Sequence, residues 1–153
     1  MEVPSPEDFP GGCVCGNSVA EARRMGCKYD SLAAAWLPEH CRDDEITAQF
    51  EAEGPDGAWG YYADADMTIP LTVDEVSLLA DNKSATFWMS ARWHMVHCKY
   101  YWLKMWKAQF TGITIEPRNN HEGHIRHCAE VMKGPEWVTI AGVALDSDKI
   151  LED

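Results

Sequence analysis

The run Trp93-His94-Met95-Val96-His97-Cys98 returns in outline at His124-Ile125-Arg126-His127-Cys128. The pattern H-x-x-H-C thus occurs twice in 153 residues and takes up four of the six histidines and two of the six cysteines. On an α-helix, positions i, i+3 and i+4 share a face. Each copy, read as helix, projects two imidazoles and one thiol in the same direction. Imidazole nitrogen and thiolate sulfur are the donors that zinc and copper prefer. The predicted centre of the fold is therefore a pair of motif helices packed face to face, and the rest of the chain is what holds them there.

Outward from the first motif, helical spacing runs from residue 84 or 85 to 110, and Gly112 supplies a stop. Phe87, Ser90, Ala91, His94, His97, Cys98, Tyr101, Met105 and Ala108 fall on one stripe. The other side carries Arg92, Lys99 and Lys107, but also Val96, Leu103 and Trp106. A helix apolar on both sides is central or covered by a partner, so a dimer is expected. Tyr101, one turn beyond His97, is near any metal held there, although packing is its simpler role. The second motif helix is predicted over 122–132, ended by Gly134-Pro135. Glu122, Arg126, Glu130 and Lys133 mark its outer face. His124, His127, Cys128 and Val131 mark its inner face, with His121 one turn earlier. The connection over 111–120, read as a short strand at 113–116 and a turn, is long enough for an antiparallel return.

The N-terminal half reads as smaller pieces. Residues 1–16, rich in Pro and Gly, form an irregular arm that Cys13 or Cys15 would tie down. Ser18-Val19-Ala20-Glu21 is a capping-box pattern for a helix over 18–25. A further helical turn is expected at 31–36, before Pro38. His40 reads as an exposed loop residue. A helix over 43–53 turns Ile46 and Phe50 inward. Residues 59–62 and 67–71 read as a hairpin across Ala63-Asp64-Ala65-Asp66, a solvated turn that lacks the full calcium-loop pattern. Thr72-Val73-Asp74-Glu75 is a second capping box. A last strand is predicted over 137–145. The fold class is mainly α with minor β, a small disulfide-stapled domain: an arm over 1–16, one domain over 17–145 and an acidic tail over 146–153, expected to fray.

Composition narrows the function. Hydrophobic content of 46% supports a packed core, and the net charge of −12 with no basic run argues against nucleic acid as a partner. Six cysteines in a small domain suggest disulfides and a secretory compartment, with Cys27 and Cys41 the expected pair because their separation is short and turn-rich. Cys98 and Cys128 are open to three readings: metal ligands, bonded to each other, or bonded to the N-terminal cysteines. No signal peptide or membrane-spanning run is present, and an anchor removed upstream is compatible with the Pro-rich start. The ligand set is imidazole-rich and without carboxylates at ligand spacing, which favours copper or zinc. His94, His97, His124 and His127 are the predicted metal residues and, if the metal is redox-active, the catalytic ones.

At these residues the chain resembles the UstYa-like oxidases of fungal secondary metabolism, whose signature is a pair of HxxHC motifs separated by a variable spacer. Cys15-Gly16, Gly26-Cys27, Trp36-Leu37-Pro38 and Cys41 are similar to a group of fungal membrane-anchored proteins with the same doubled motif, so the likeness spans about 13–128. It implies a luminal or secreted domain that uses copper in oxidative cyclisation, hydroxylation or related C–H chemistry on a small-molecule or peptide substrate, and that works in pairs with itself or a related chain. The extra Cys13 and the segment Ala129-Glu130-Val131-Met132 depart from the peptide cyclases of that family. The alternative is a non-catalytic secreted or luminal binding module stabilised by zinc.

Overall fold

The structure, a computed structural model, describes residues 12–133 and 138–150. Residues 1–11 of the expected arm over 1–16, the Gly134-Pro135 stop, Trp137 and residues 151–153 lie outside the described residues. The first motif sits on the longest helix, α4 (Ala91–Thr111), which starts six or seven residues later than its periodicity suggests. Phe87–Ser90 before it form a strand, β5, in which Phe87 and Met89 are buried while Trp88 and Ser90 are half-buried. That alternation has period two and marks a strand. Ser90 then caps α4 by accepting the Trp93 amide. Gly112, in the left-handed region at φ 76°, ends it as predicted.

The other helices follow their caps. In α1 (Val19–Arg24) Ser18 accepts the Glu21 amide. In α2 (Asp44–Ala52) Asp43 accepts the Ile46 amide, and Ile46 and Phe50 are buried. α3 (Val73–Leu78) has both halves of the Thr72/Glu75 capping box. α5 (Glu122–Val131) carries the second motif.

Strands β1 (Lys28–Asp30) and β2 (Ala35–Leu37) form an antiparallel hairpin. The helical turn expected over 31–36 is therefore corrected. The buried Asp30 carboxylate accepts the Ala33 amide and the Thr47 hydroxyl, both at 2.9 Å, and so folds residues 31–34 into a tight turn. Ala34 there adopts φ 51°, a conformation helix periodicity cannot anticipate.

A four-stranded antiparallel sheet has the order β4-β3-β5-β6, with β3 Tyr61–Tyr62, β4 Pro70–Leu71 and β6 Val138–Ala141. Its β3–β4 hairpin closes through the Asp64 carboxylate, which takes the Thr68 and Ile69 amides at an exposed turn. Residues 113–116 are not a strand. The Thr114 amide instead reaches the His40 carbonyl, and Pro117–Asn119 make a short 3-10 turn. His40 is half-buried, its Nε2 2.7 Å from the Gly12 carbonyl, and so is not the exposed residue expected. The described part of the tail packs where fraying is expected: Asp146 bridges Val14, and Ser147 is buried.

Phe50 sits at the middle of the main core, 5.6 Å from Trp59 and 5.5 Å from Trp93 between ring centroids. Burying an aromatic of this size contributes roughly 1.5–3 kcal/mol. A smaller cluster gathers Val19, Ala22, Trp36 and Leu145. The disulfides follow this division. Cys13–Cys41 lies in the main core and Cys15–Cys27 in the smaller one, so the expected Cys27–Cys41 bond is not formed. Short spacing does not bring those two together, because α1 directs Cys27 to one cluster and the chain beyond Pro38 directs Cys41 to the other. The third bond, Cys98–Cys128, joins α4 to α5.

Candidate functional site

The β1–β2 turn, α4, the turn over Pro117–Asn119, α5 and β6 enclose a cavity of about 330 Å³. Its wall includes all four motif histidines and His121. Residues three apart on α4 put His94 and His97 on one side, and the same spacing on α5 puts His124 and His127 on the other. The Cys98–Cys128 disulfide at the ends of the two motifs holds the helices at this distance. Both thiols are consumed in it, so neither offers a thiolate, and the donor set on this cavity is imidazole.

His97 is the most constrained. It is buried, stacked on Trp93 at 5.1 Å with planes 14° apart, and its Nδ1 lies 2.6 Å from the Leu32 carbonyl. A carbonyl oxygen only accepts, so Nδ1 carries the hydrogen and donates. In the neutral ring Nε2 is then left with its lone pair, 3.5 Å from Nε2 of His124. The Asn119 backbone hydrogen-bonds His124 as well. His94 and His127 face one another with centroids 5.0 Å apart, and Thr139 Oγ1 of β6 lies 3.3 Å from His94 Nδ1. His121 stands 6.3 Å from His124 and folds over Gly123, where a Cβ would come within 2.9 Å of its ring.

Burial and neighbouring imidazoles favour the neutral form of His94, His97 and His124. Burial first, then the neighbouring imidazoles of His127 and His124, lower His94 to about 4. Burial and the same kind of neighbour lower His97 well below its ordinary value, and His124 also shifts down. Neutral imidazole is the form that binds metal.

The imidazoles fall into two facing pairs. Among the described residues no three His, Cys, Asp or Glu side chains are grouped so as to hold a metal ion. The His97–His124 pair does meet one requirement. Two nitrogens bound to one ion at about 2.0–2.1 Å each stand no more than about 4 Å apart, and the 3.5 Å separation lies inside that limit.

Beneath the imidazoles lies a buried polar cluster that helical periodicity places only in part. Tyr101 contacts His97 at 4.9 Å between centroids and hydrogen-bonds Glu116. Asn119 donates to both Glu116 Oε1 and Tyr101 Oη, at 2.9 and 3.1 Å. Lys104 donates to the Cys41 carbonyl at 2.9 Å and stands 3.5 Å from Glu116 Oε2. Lys104 and Glu116 are almost wholly buried, at 1% and 0% exposure. Lys104 follows His97 by seven residues and Tyr101 by three, so its spacing put it on the site's face; its charge pointed to solvent. Burial raises Tyr101 well above the usual phenol value, as does the Glu116 charge. The phenol therefore stays protonated and donates.

The chain is similar to phomopsin biosynthesis cluster proteins B and B' of Diaporthe leptostromiformis, 29% identical to each over 138 residues. The match takes in 84% of this chain and spans 40% of the length of those relatives. No family model matches the chain, and no solved structure matches it.

Proposed function

We propose that this chain is a copper-binding oxidative domain acting in a fungal secondary-metabolite pathway. The observation that carries the reading is the approach of His97 Nε2 to His124 Nε2 across two copies of one motif. The fungal relatives, named as members of a biosynthesis cluster, support the pathway; the imidazole-only donor set supports copper. His97 and His124 would be the pair of ligands, and His94 and His127 line the same cavity as a second facing pair. Bound copper supplies one-electron chemistry with O2 for oxidising a C–H bond. The protein's part is to hold the imidazoles neutral and oriented: the Leu32 carbonyl fixes the His97 tautomer, Trp93 fixes the ring plane, and the disulfide fixes the spacing of the helices. The substrate, a small molecule or peptide, enters the cavity beside them. Three disulfides support a secreted or luminal site of action. None of the described helices is long and apolar enough to cross a membrane.

Copper titration by calorimetry, with circular dichroism alongside, tests the site. His97→Ala and His124→Ala are expected to remain folded, to lose most copper affinity and to show no oxidase activity. Unchanged affinity in both folded variants would refute the assignment. Wild-type protein that takes up zinc and not copper would favour a metal-stabilised binding module instead.

A further inference from the structure

A second cavity, of about 400 Å³, adjoins the first. The two share Arg118 and Gly142 in their walls. On a chain of net charge −12, this second cavity draws three cations, Arg118, Lys83 and Lys149, against one carboxylate, Asp146. The lysines are exposed and stand at its rim, whereas Arg118 is half-buried in the partition between the cavities.

Arg118 is set there by its backbone, whose amide donates to the Ser147 carbonyl at 3.0 Å within the turn that also carries Glu116 and Asn119. Its guanidinium makes no hydrogen bond or ion pair among the described residues. The carboxylates nearby form their hydrogen bonds elsewhere. Glu116 Oε1 is taken by Tyr101 and Asn119, and Lys104 stands beside Oε2; the Glu116 charge acts on Arg118 without a hydrogen bond, and one oxygen of Asp146 accepts the Asp148 amide. Taking a guanidinium partly out of water is costly unless an anion compensates. A fork of uncommitted N–H donors matches a carboxylate in two parallel bonds.

We infer that Arg118 is the anchor of a carboxylate subsite in this second cavity, binding the acid group of a molecule whose other end reaches the imidazole cavity. The inference deepens the proposed oxidase function and rests on it for the identity of the reacting end. The lysines draw the anion in, and Arg118 sets how far from the imidazoles the remainder of the ligand extends.

Benzoate, and benzamide as its neutral counterpart, test this on metal-free protein by nuclear magnetic resonance. Benzoate is expected to move the Arg118 Nε–H resonance and the backbone amides of residues 142–146, while benzamide moves neither. Arg118→Lys, which keeps the charge and loses the fork, is expected to weaken benzoate binding about tenfold or more. An Arg118 Nε–H unmoved by benzoate, equal binding of benzamide, or wild-type affinity in the folded variant overturns the subsite. The wild-type resonances decide the matter even if the variant does not fold. Protein that binds benzoate at Arg118 but takes up no copper overturns the oxidase reading alone. Protein that takes up copper through its histidines with Arg118 unmoved overturns this inference alone.

Discussion

His97 shows how much one side chain here depends on its surroundings. Its lone pair faces the cavity because the Leu32 carbonyl takes the other nitrogen's hydrogen, and its charge is suppressed because it is buried beside other imidazoles. The same causes give a pH dependence with a definite sign. His94 titrates near 4 in the folded chain, against about 6.5 when unfolded. Between those values the unfolded chain binds more protons, so stability falls as pH drops through that window and is flat above it. His97 and His124, also shifted down, act in the same direction. The loss attributable to His94 is on the order of 3 kcal/mol before solvent screening at this half-buried ring reduces it. Thermal unfolding of metal-free protein is expected to show a constant midpoint from pH 8 to 7 and a declining one from 6.5 to 4. Substitution His94→Gln should flatten part of that decline. A midpoint equal at pH 7.5 and 4.5 would count against buried neutral imidazoles.

Among the elements, α4 and α5 carry the motifs, but the disulfide and the β1–β2 turn make them a site. Cys98–Cys128 spans 30 residues of chain. Closing a loop of that length restricts the unfolded state by about 3–4 kcal/mol. The double substitution Cys98→Ala with Cys128→Ala is therefore expected to lower stability in urea by about that amount. It should also weaken copper binding while leaving all four histidines in the chain, because this disulfide is the cross-link that ties α5 to α4 beside the motifs. Unfolding curves that superimpose on wild type would show that packing alone holds the helices. The β1–β2 turn contributes differently: its carbonyl orients an imidazole 65 residues away in the chain, and its shape depends on the buried Asp30 carboxylate. Burial raises the Asp30 pKa, and the nearby Lys104 ammonium offsets part of that rise.

On the scale of the whole molecule, the site lies on one side of α4 and an unusual surface on its far end. Trp106 and Phe110 are 58% and 73% exposed, with Trp102 and Leu103 beside them. The helix carries no acidic residue, although the chain is strongly acidic overall. Apolar surface of this kind suits cover by the same surface of a second copy. A dimer is the expected species by light scattering at high concentration, and Trp106→Glu is expected to return it to monomer. A wild type that is monomeric throughout the concentration range would reject self-association through this face.

The sequence by itself determined the local features. Caps at Ser18 and Thr72, the stop at Gly112 and the helical spacing of both HxxHC motifs depend on neighbours within a turn or two, and such interactions are legible in a single chain. Helical periodicity also put His94 with His97 and His124 with His127. Tertiary structure alone decided what joins distant segments. It assigned Cys27 to Cys15 and Cys41 to Cys13, because the two core clusters sort the cysteines by packing and not by spacing. It turned Phe87–Ser90 from the start of a helix into a strand by giving it β6 as a partner. It arranged the four imidazoles as two facing pairs, set the Leu32 carbonyl against His97, and buried Lys104 beside Glu116. Each of these depends on a partner far away in the chain, and a sequence does not record which distant surfaces meet.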